Sequence, residues 1–160
     1  MNRYLPLAAL VASLAPAVGI PATISVSEVT EIANDGRCSL LEALDNAEQD
    51  RGIHADCPAG SGADQLVLTP GHRYTLTEPW PGSDSGTPSL TGDLEVQGNE
   101  AVIERSMAAN PFRLFEILGA TVTIEGLTLR QGLTQDLMIG GGALRVVDAD
   151  LTLREVVLTD

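Results

Sequence analysis

Short apolar runs fill the chain from Asp64 onward. They are rich in Val, Ile, Leu and Thr, and they are separated by Gly, Pro, Asn and Asp. Apolar and polar residues alternate within several runs, which is typical of β-strands, and no helical period joins them. Strands are therefore predicted over residues 66–68, 74–76, 94–96, 101–103, 114–117, 121–124, 127–129, 144–146, 151–153 and 156–158.

The predicted strands repeat along the chain. Residues 120–129 match residues 149–158 at an offset of 29, and residues 92–98 match residues 120–126 at an offset of 28. A fixed period built only of strands and turns is typical of a solenoid, in which each repeat stacks on the next. A β-sandwich has strands of similar length but does not require this internal register. The pattern therefore favours a parallel β-helix of about three to four coils over residues 64–160.

Alternation along residues 121–129 predicts which side chains fill the coils. The apolar members are expected to point inward: Val122, Ile124, Leu127 and Leu129. The polar members are expected to point outward: Thr121, Thr123, Glu125 and Thr128. Gly98, Gly126 and residues 140–142 fall between strands, where corners need backbone angles that glycine adopts easily.

One segment before the strands predicts a helix, over about residues 39–50. Ser39 followed by Glu42 fits a capping box, and Leu40, Leu44 and Ala47 recur at helical spacing. Such a helix has one apolar side and must lie against something apolar. We expect it to form an amino-terminal cap, within residues 18–63, on the first end of the stack.

The two cysteines, Cys38 and Cys57, flank this helix. A disulfide between them would stabilise the fold by about 3 kcal/mol in the chain-entropy model. Two free buried thiols are the alternative, and the compartment decides between them. Because the first residues of the chain read as an export signal, we predict the disulfide. A metal site is disfavoured because no CxxC is present and His54 and His72, which we expect at the surface, lie far from each other in sequence.

The cap segment resembles a known family. CSLLEAL, preceded by NDG and followed by DCPAGSGAD and an apolar strand, is similar to the CSLREA-type segment of bacterial surface and secreted proteins. The resemblance covers about residues 22–160, and Leu41 departs from it by standing where the family has arginine. The matched positions are Asn34, Asp35, Gly36, Cys38, Ser39, Leu40, Glu42, Ala43, Asp56, Cys57, Gly60 and Asp64.

The resemblance implies an all-β fold: a single-stranded, right-handed parallel β-helix of the pectate-lyase-like type, with this segment at its amino-terminal edge. It also implies a secreted or cell-surface protein of bacterial type. It says little about an activity.

The first residues indicate export. Residues 1–17 read as a signal peptide, with Arg3 in the positive region, an apolar core over residues 4–14 and an A-x-A-like site at residues 15–17. Cleavage is expected after Ala17 or, as a second choice, after Ala22; an uncleaved strand or anchor is the alternative. The apolar core is too short to span a bilayer, and no other segment is long and apolar enough to do so.

The net charge of the chain limits the kinds of partner that it can bind. The chain has 22 acidic and 9 basic residues, a net charge of −13, and it would be repelled by nucleic acid and by anionic membranes. A glycan or protein surface outside the cell is the expected partner, and the acidic exterior itself favours solubility. Aspartates crowd the cap, so a weak calcium site is an open possibility there, although their spacing fits no known loop. They are Asp35, Asp45, Asp50, Asp56 and Asp64.

Catalytic residues are not evident, although β-helices include polysaccharide lyases and hydrolases. The nearest acid–base group is Asp148 and Asp150 with Arg145 and Arg154. The 29-residue period instead pairs Arg154 with Glu125, and Arg145 with Glu116, as ion pairs between adjacent coils. We therefore predict no catalytic residue, no metal site and no cofactor.

Two segments interrupt the register, residues 79–89 and, as a shorter excursion, residues 106–111. Residues 79–89 hold Trp80 and are rich in Pro, Gly and Ser, which predicts a surface loop; Trp80 either stands in the loop or folds back over a coil edge. The last apolar strand runs almost to Asp160, so the final coil either continues in a longer form or packs on a partner or second copy.

Three functions remain open at this point. The first is a secreted or cell-surface module that acts as a scaffold or as an adhesion and binding surface. The second is a carbohydrate-active enzyme, and the third is a truncated fragment of a longer surface protein.

Overall fold

The computed structural model describes residues 20–135 and 140–160, so the predicted signal peptide over residues 1–17 lies outside the described residues. One helix and a series of strands follow one another along the chain. They are β1 (Thr23–Ser25), α1 (Leu40–Glu48), β2 (Asp64–Val67), β3 (Arg73–Leu76), β4 (Leu94–Arg105), β5 (Phe115–Leu118), β6 (Thr121–Arg130), β7 (Leu144–Val147), β8 (Asp150–Arg154) and β9 (Val157–Thr159).

The strands pair in parallel and form a solenoid of about three turns. One face has the order β1-β2-β4-β6-β8. The second halves of β4 and β6 pair with β3 and β9, and β5 with β7 forms a third face. The long strands β4 and β6 therefore bend around a corner and serve two faces each. A β-sandwich would be built of antiparallel sheets, so the predicted solenoid is confirmed.

The repeat predicted from the sequence is the register of the ladder. Leu94 pairs with Val122 at an offset of 28, and Thr121 pairs with Asp150 at an offset of 29. The predicted inward residues of β6 are at most 1% exposed: Val122, Ile124, Leu127 and Leu129. They continue a core that runs through every turn, because stacked inward side chains bury one another.

The corner inside β4 and β6 depends on two glycines. Gly126 has φ +61°, in the left-handed region that glycine adopts without strain. Gly98 lies against the next turn, where a Cβ would stand 2.6 Å from the Gly126 carbonyl oxygen. A side chain at position 98 would therefore push two turns apart.

The segment 79–89 is only partly the surface loop that its composition predicts. Residues 85–88 are buried, and Ser85 and Leu90 make bridges with Arg113 and Ile117 on the third face. The indole of Trp80 packs against the core. The second half of the segment therefore belongs to a turn of the solenoid. Its side chains are small, but its backbone groups pair with those of the neighbouring turn.

Strand β1 is an element that the sequence pattern does not reveal. It pairs with β2 across the whole cap, with Thr23 beside Gln65, and Ile24 is fully buried. The cap is thus an insertion between β1 and β2, which are neighbouring strands of one face. The solenoid therefore begins with β1, before the cap.

The inward assignment predicts opposite results for two adjacent positions. Ile124→Asp places a charge in the core, so the free energy of unfolding should fall by more than about 4 kcal/mol. Thr123→Asp lies on the outer side of β6 and should change stability by less than about 1 kcal/mol. Thermal and urea unfolding measure both. Equal tolerance of the two variants would contradict the assignment.

Candidate functional site

The cap is held together first at the start of α1. The Ser39 hydroxyl accepts from the Glu42 amide at 3.2 Å, and the Glu42 carboxylate accepts from the Ser39 amide at 2.9 Å. The predicted capping box is therefore confirmed. The second Glu42 oxygen accepts from the Ala33 amide at 3.1 Å, so this buried carboxylate also fixes the chain that leads into the helix.

Cys38 and Cys57 form the predicted disulfide, with their Cα atoms 4.5 Å apart. Both cysteines are buried. The bridge closes the chain that contains α1 and its return loop. It therefore restricts the unfolded chain in the segment that covers the first turn.

Acidic side chains of the cap serve as acceptors for backbone amides. Asp56 accepts from the amides of Asp35 and Gly36 at 2.9 and 3.0 Å. Asp35 in turn pairs with Arg37 at 2.6 Å, and the hydrogen bonds from this residue hold the pKa of Asp35 below its usual value. Gly36, between Asp35 and Arg37, has φ +78°, a backbone conformation that glycine adopts without strain.

Asn46 organises the return loop and was missed in the sequence. Its side chain is buried on α1; its amide nitrogen donates to the carbonyls of His54 and Pro58, both at 3.0 Å, and lies 3.4 Å from that of Cys57. Its amide oxygen accepts from the amides of Ile53 and His54 at 2.8 and 2.9 Å. The sequence does contain a signal for this role: Asn46 is a polar residue on the apolar side of the helix, three positions after Ala43, and a buried amide needs hydrogen-bond partners.

Gly60 and Asp64 join the return loop to the first turns. A Cβ on Gly60 would lie 2.3 Å from the Asn46 carbonyl oxygen, so only glycine fits against the helix. The buried Asp64 carboxylate accepts from the Ala22 amide at 2.8 Å and from the Ser61 amide at 2.9 Å. It therefore links β2, the return loop and the residue before β1.

The remaining matched positions have structural places as well. Leu40 and Ala43 are buried apolar residues of α1, and Leu41 is only 7% exposed. Asn34 is exposed and, with Ile32, lines a pocket of about 280 Å³. The position at which the family carries arginine is thus occupied here by a buried apolar side chain.

The two histidines are half-buried rather than freely exposed, which differs from the sequence expectation. His54 Nε2 lies 2.8 Å from Asp45 Oδ2, next to the pocket at Asn34. The ring of His72 packs edge-on against Tyr74 with centroids 4.8 Å apart. Each ring therefore has a neighbour that fixes its orientation.

Glu48 connects the end of α1 to a later turn. Its carboxylate accepts from the Thr91 amide at 2.7 Å, the Thr91 hydroxyl at 3.0 Å and the Gly92 amide at 3.3 Å. Burial raises the pKa of Glu48 above its usual value, and these hydrogen bonds offset the effect only in part. The cap is therefore attached to the stack at this end of the helix as well.

Both predicted ion pairs between turns are present. Arg145 bonds Glu116, and Arg154 Nη1 lies 3.9 Å from Glu125 Oε2. Burial raises the pKa of Glu116, but the bonds from Arg145 and Ser89 and the nearby arginine charges outweigh it, so the pKa lies below its usual value. These arginines are thus engaged by glutamates of the preceding turn.

A third network was missed because the corner changes the register. Glu104 is buried on β4 and pairs with Arg73 at 3.0 Å and with Arg130. Thr75 donates to its other oxygen at 3.0 Å. Beyond the corner the offset between β4 and β6 is 26 residues, so Glu104 meets Arg130 rather than the residue 29 positions later.

The acidic and basic residues near the end of the chain, which were the nearest acid–base group in the sequence, do not form a common site. Asp148 and Asp150 make no ion pair with Arg145 or Arg154 in the part of the chain that the structure describes. Among residues 20–135 and 140–160, no three His, Cys, Asp or Glu side chains are placed to hold a metal ion. The cap aspartates each accept from their own donors, as Asp50 does from the Gly62 amide at 2.6 Å.

One groove remains as a candidate binding surface. It follows the corner of the solenoid, has a volume of about 550 Å³, and presents Glu100, Glu125 and Glu155 from successive turns. The other residues that line it are Pro70, Gln97, Gly98, Asn99 and Gly126. Such a surface fits a polar or cationic group better than an anionic one.

No protein-family model, no curated protein and no solved structure matches this chain. The likeness to CSLREA-type proteins therefore stays a prediction. Among the described residues, no helix has the length and hydrophobicity that crossing a membrane requires.

The role of Asn46 predicts a large loss of stability for a small change. Asn46→Ala leaves several buried loop groups without partners, so the free energy of unfolding should fall by about 2–4 kcal/mol. Gln49→Ala, an exposed residue at the end of the same helix, is the control and should have little effect. Urea unfolding under oxidising conditions measures both. A loss below about 0.5 kcal/mol for Asn46→Ala would contradict this role.

Two glutamates predict opposite pH effects. The lowered pKa of Glu116 means that its stabilising contribution is present above its unfolded pKa of about 4.3 and is lost as the pH falls below it. The advantage of the native chain over Glu116→Gln, up to about 1 kcal/mol, should therefore shrink on acidification. The raised pKa of Glu48 has the opposite effect, because its charged form destabilises the folded state. The free energy of unfolding of the native chain should therefore rise relative to that of Glu48→Gln as the pH falls. Urea unfolding between neutral and acid pH measures both differences, and parallel trends would contradict the account.

Proposed function

We propose that this protein is a secreted or cell-surface β-solenoid module that serves as a structural scaffold or as an adhesion and binding surface. The observation that carries the proposal is that the polar residues of the cap hold the fold. Glu42, Asn46, Asp56 and Asp64 each accept or donate within the cap or between the cap and the first turns. A cap built in this way supports a role in closing and stabilising a surface-exposed stack.

The outer faces of the turns support the same role. Glu104 and Glu116 are neutralised by arginines of neighbouring turns, which ties the turns to one another. The exposed surface left over is acidic, because the chain carries a net charge of −13. An acidic surface suits display outside the cell and contact with polar glycans or basic protein patches.

The disulfide supports export, and the bonds of Ala22 favour one of the two expected cleavage sites. A disulfide persists in oxidising compartments and is rare in the cytosol. Ala22 takes part in the first turn, since its amide donates to Asp64 and its carbonyl accepts from Gln65 at 2.8 Å. Cleavage after Ala17 keeps these bonds and cleavage after Ala22 removes the residue that makes them, which favours the first site.

A carbohydrate-active enzyme is the second candidate, and the groove is the observation in its favour. Glu100, Glu125 and Glu155 line one continuous depression, and paired carboxylates are the usual catalytic groups for hydrolysis of glycosidic bonds. Glu125 also lies beside Arg154, which fits an ion pair between turns as well as a catalytic role.

The two candidates differ in what happens to a bound polymer. The whole chain is expressed in a bacterial host, the exported product is recovered, and it is incubated with immobilised neutral, cationic and uronate polysaccharides and with extracellular proteins, with calcium present or chelated. We expect a product that starts at Val18, gains about 2 Da on reduction, and is retained on a surface whose polymer stays intact.

Polymer cleavage that Glu100→Gln abolishes and Glu95→Gln leaves unchanged would favour the enzyme and contradict the scaffold. Glu95 is the matched control because it lies on the outer side of β4 and does not line the groove. An uncleaved chain with reduced thiols inside the cell would contradict export.

A further inference from the structure

A small pocket lies where the cap meets the segment that follows β3, and it has a volume of about 180 Å³. Its apolar walls include Leu41 of α1, Ile32 of the segment that leads into α1, and Trp80 of the segment after β3. Glu31 and Glu78 add two carboxylates to its lining. This junction pocket therefore combines an aromatic ring, aliphatic surface and negative charge.

Hydrogen bonds outside the junction pocket hold its walls in place. The Leu41 amide donates to the Thr30 carbonyl at 3.2 Å, and the amide and carbonyl of Trp80 are both bonded within their own loop. The Thr77 hydroxyl donates to one Glu31 oxygen at 3.2 Å, which joins the cap side of the pocket to the solenoid side. The pocket is therefore formed before a ligand binds, so binding requires little ordering of the protein.

The two carboxylates of the junction pocket have no cationic partner in the chain. Among residues 20–135 and 140–160, the Glu78 carboxylate makes no hydrogen bond or ion pair, and that of Glu31 bonds only the Thr77 hydroxyl. The 280 Å³ pocket of the cap differs, because its carboxylates, Glu42 and Asp56, already accept from backbone amides. Two uncompensated carboxylates beside an aromatic ring attract a cation.

We propose that the junction pocket binds an arginine side chain of a partner protein. A guanidinium group is planar, stacks on an aromatic ring such as that of Trp80, and bonds carboxylates through its fork of donors. Its aliphatic stem lies against Leu41 and Ile32. The pocket is smaller than the about 300 Å³ at which sites for whole small molecules begin, so its size fits a single side chain.

The surface around the junction pocket fits a protein as the source of that side chain. Ile32 lines both this pocket and the 280 Å³ pocket, and it is 47% exposed. Ile53, in the lining of the larger pocket, is 43% exposed, and Pro79 and Pro81 are exposed in the lining of the smaller one. Apolar residues around a tryptophan are typical of the centre of a protein interface. The inference rests on the binding role proposed above and gives that role a location and a partner chemistry.

The indole N–H signal of Trp80 reports on the junction pocket directly, because the chain has no other tryptophan. The purified chain is titrated with a capped glycine–arginine–glycine peptide, with its lysine counterpart and with a glucosamine oligomer, and the signal is followed by NMR. Physiological ionic strength screens the attraction of any cation to the acidic chain as a whole. The arginine peptide should shift the signal saturably, and the lysine peptide should bind at least about threefold more weakly, since an ammonium group is more strongly hydrated and lacks the planar fork.

Glu31→Gln and Glu78→Gln each remove one charge from the pocket and should each weaken binding of the arginine peptide about two- to fivefold. The double variant should weaken it about tenfold. Glu28→Gln is the matched control, because Glu28 is an exposed residue of the same segment that does not line the pocket. It should leave the affinity unchanged, and circular dichroism should show that every variant is folded.

An indole signal that does not respond to the arginine peptide would overturn the proposal, as would a response that both glutamate variants leave intact. Equal binding of the lysine peptide, or tighter binding of the glucosamine oligomer, would overturn the choice of arginine. The proposed function fails separately: a chain that is neither exported nor retained on any surface contradicts it, whereas a chain retained elsewhere without binding arginine contradicts only this site.

Discussion

The first turn of a β-solenoid has to be covered, and this requirement shapes the amino-terminal part of the protein. Each turn buries its inward side chains, such as Ile124, only because another turn lies above and below it. The first turn has no turn beneath it, and the cap supplies the missing apolar surface through Leu40 and Leu44.

The polar chemistry of the chain follows from that arrangement. A cap made of loops around one short helix has many backbone amides and carbonyls away from regular pairing, and buried ones need partners. Asn46 and Asp64 provide them. Along the turns, side chains at equal positions stack on one another, so like charges would repel unless they alternate with opposite ones. The arginines beside Glu104 and Glu116 meet this need.

The sequence predicts those parts of the structure that are determined by residues close together in the chain or by the visible repeat. The capping box at Ser39, the pairing of Cys38 with Cys57 and the 28- and 29-residue register depend on nearby residues or on a repeat that is visible in the sequence.

The parts that the sequence does not reveal depend on how the chain folds back. Asn46 acts on a loop that returns to the helix, and β1 pairs across 42 residues, from Thr23 to Gln65. Glu104 meets Arg130 because a bend shortens the local period to 26.

Amide hydrogen exchange of the oxidised and the reduced protein tests the central claim most directly, because it reports the stability of each element separately. If the cap closes the stack, reducing the Cys38–Cys57 bond should lower protection in α1 together with β1 and β2, while β6 keeps its protection. Loss of protection confined to α1, with Ile24 and Leu66 unchanged, would contradict the account. It would show that the cap is attached to the solenoid without stabilising its first turns.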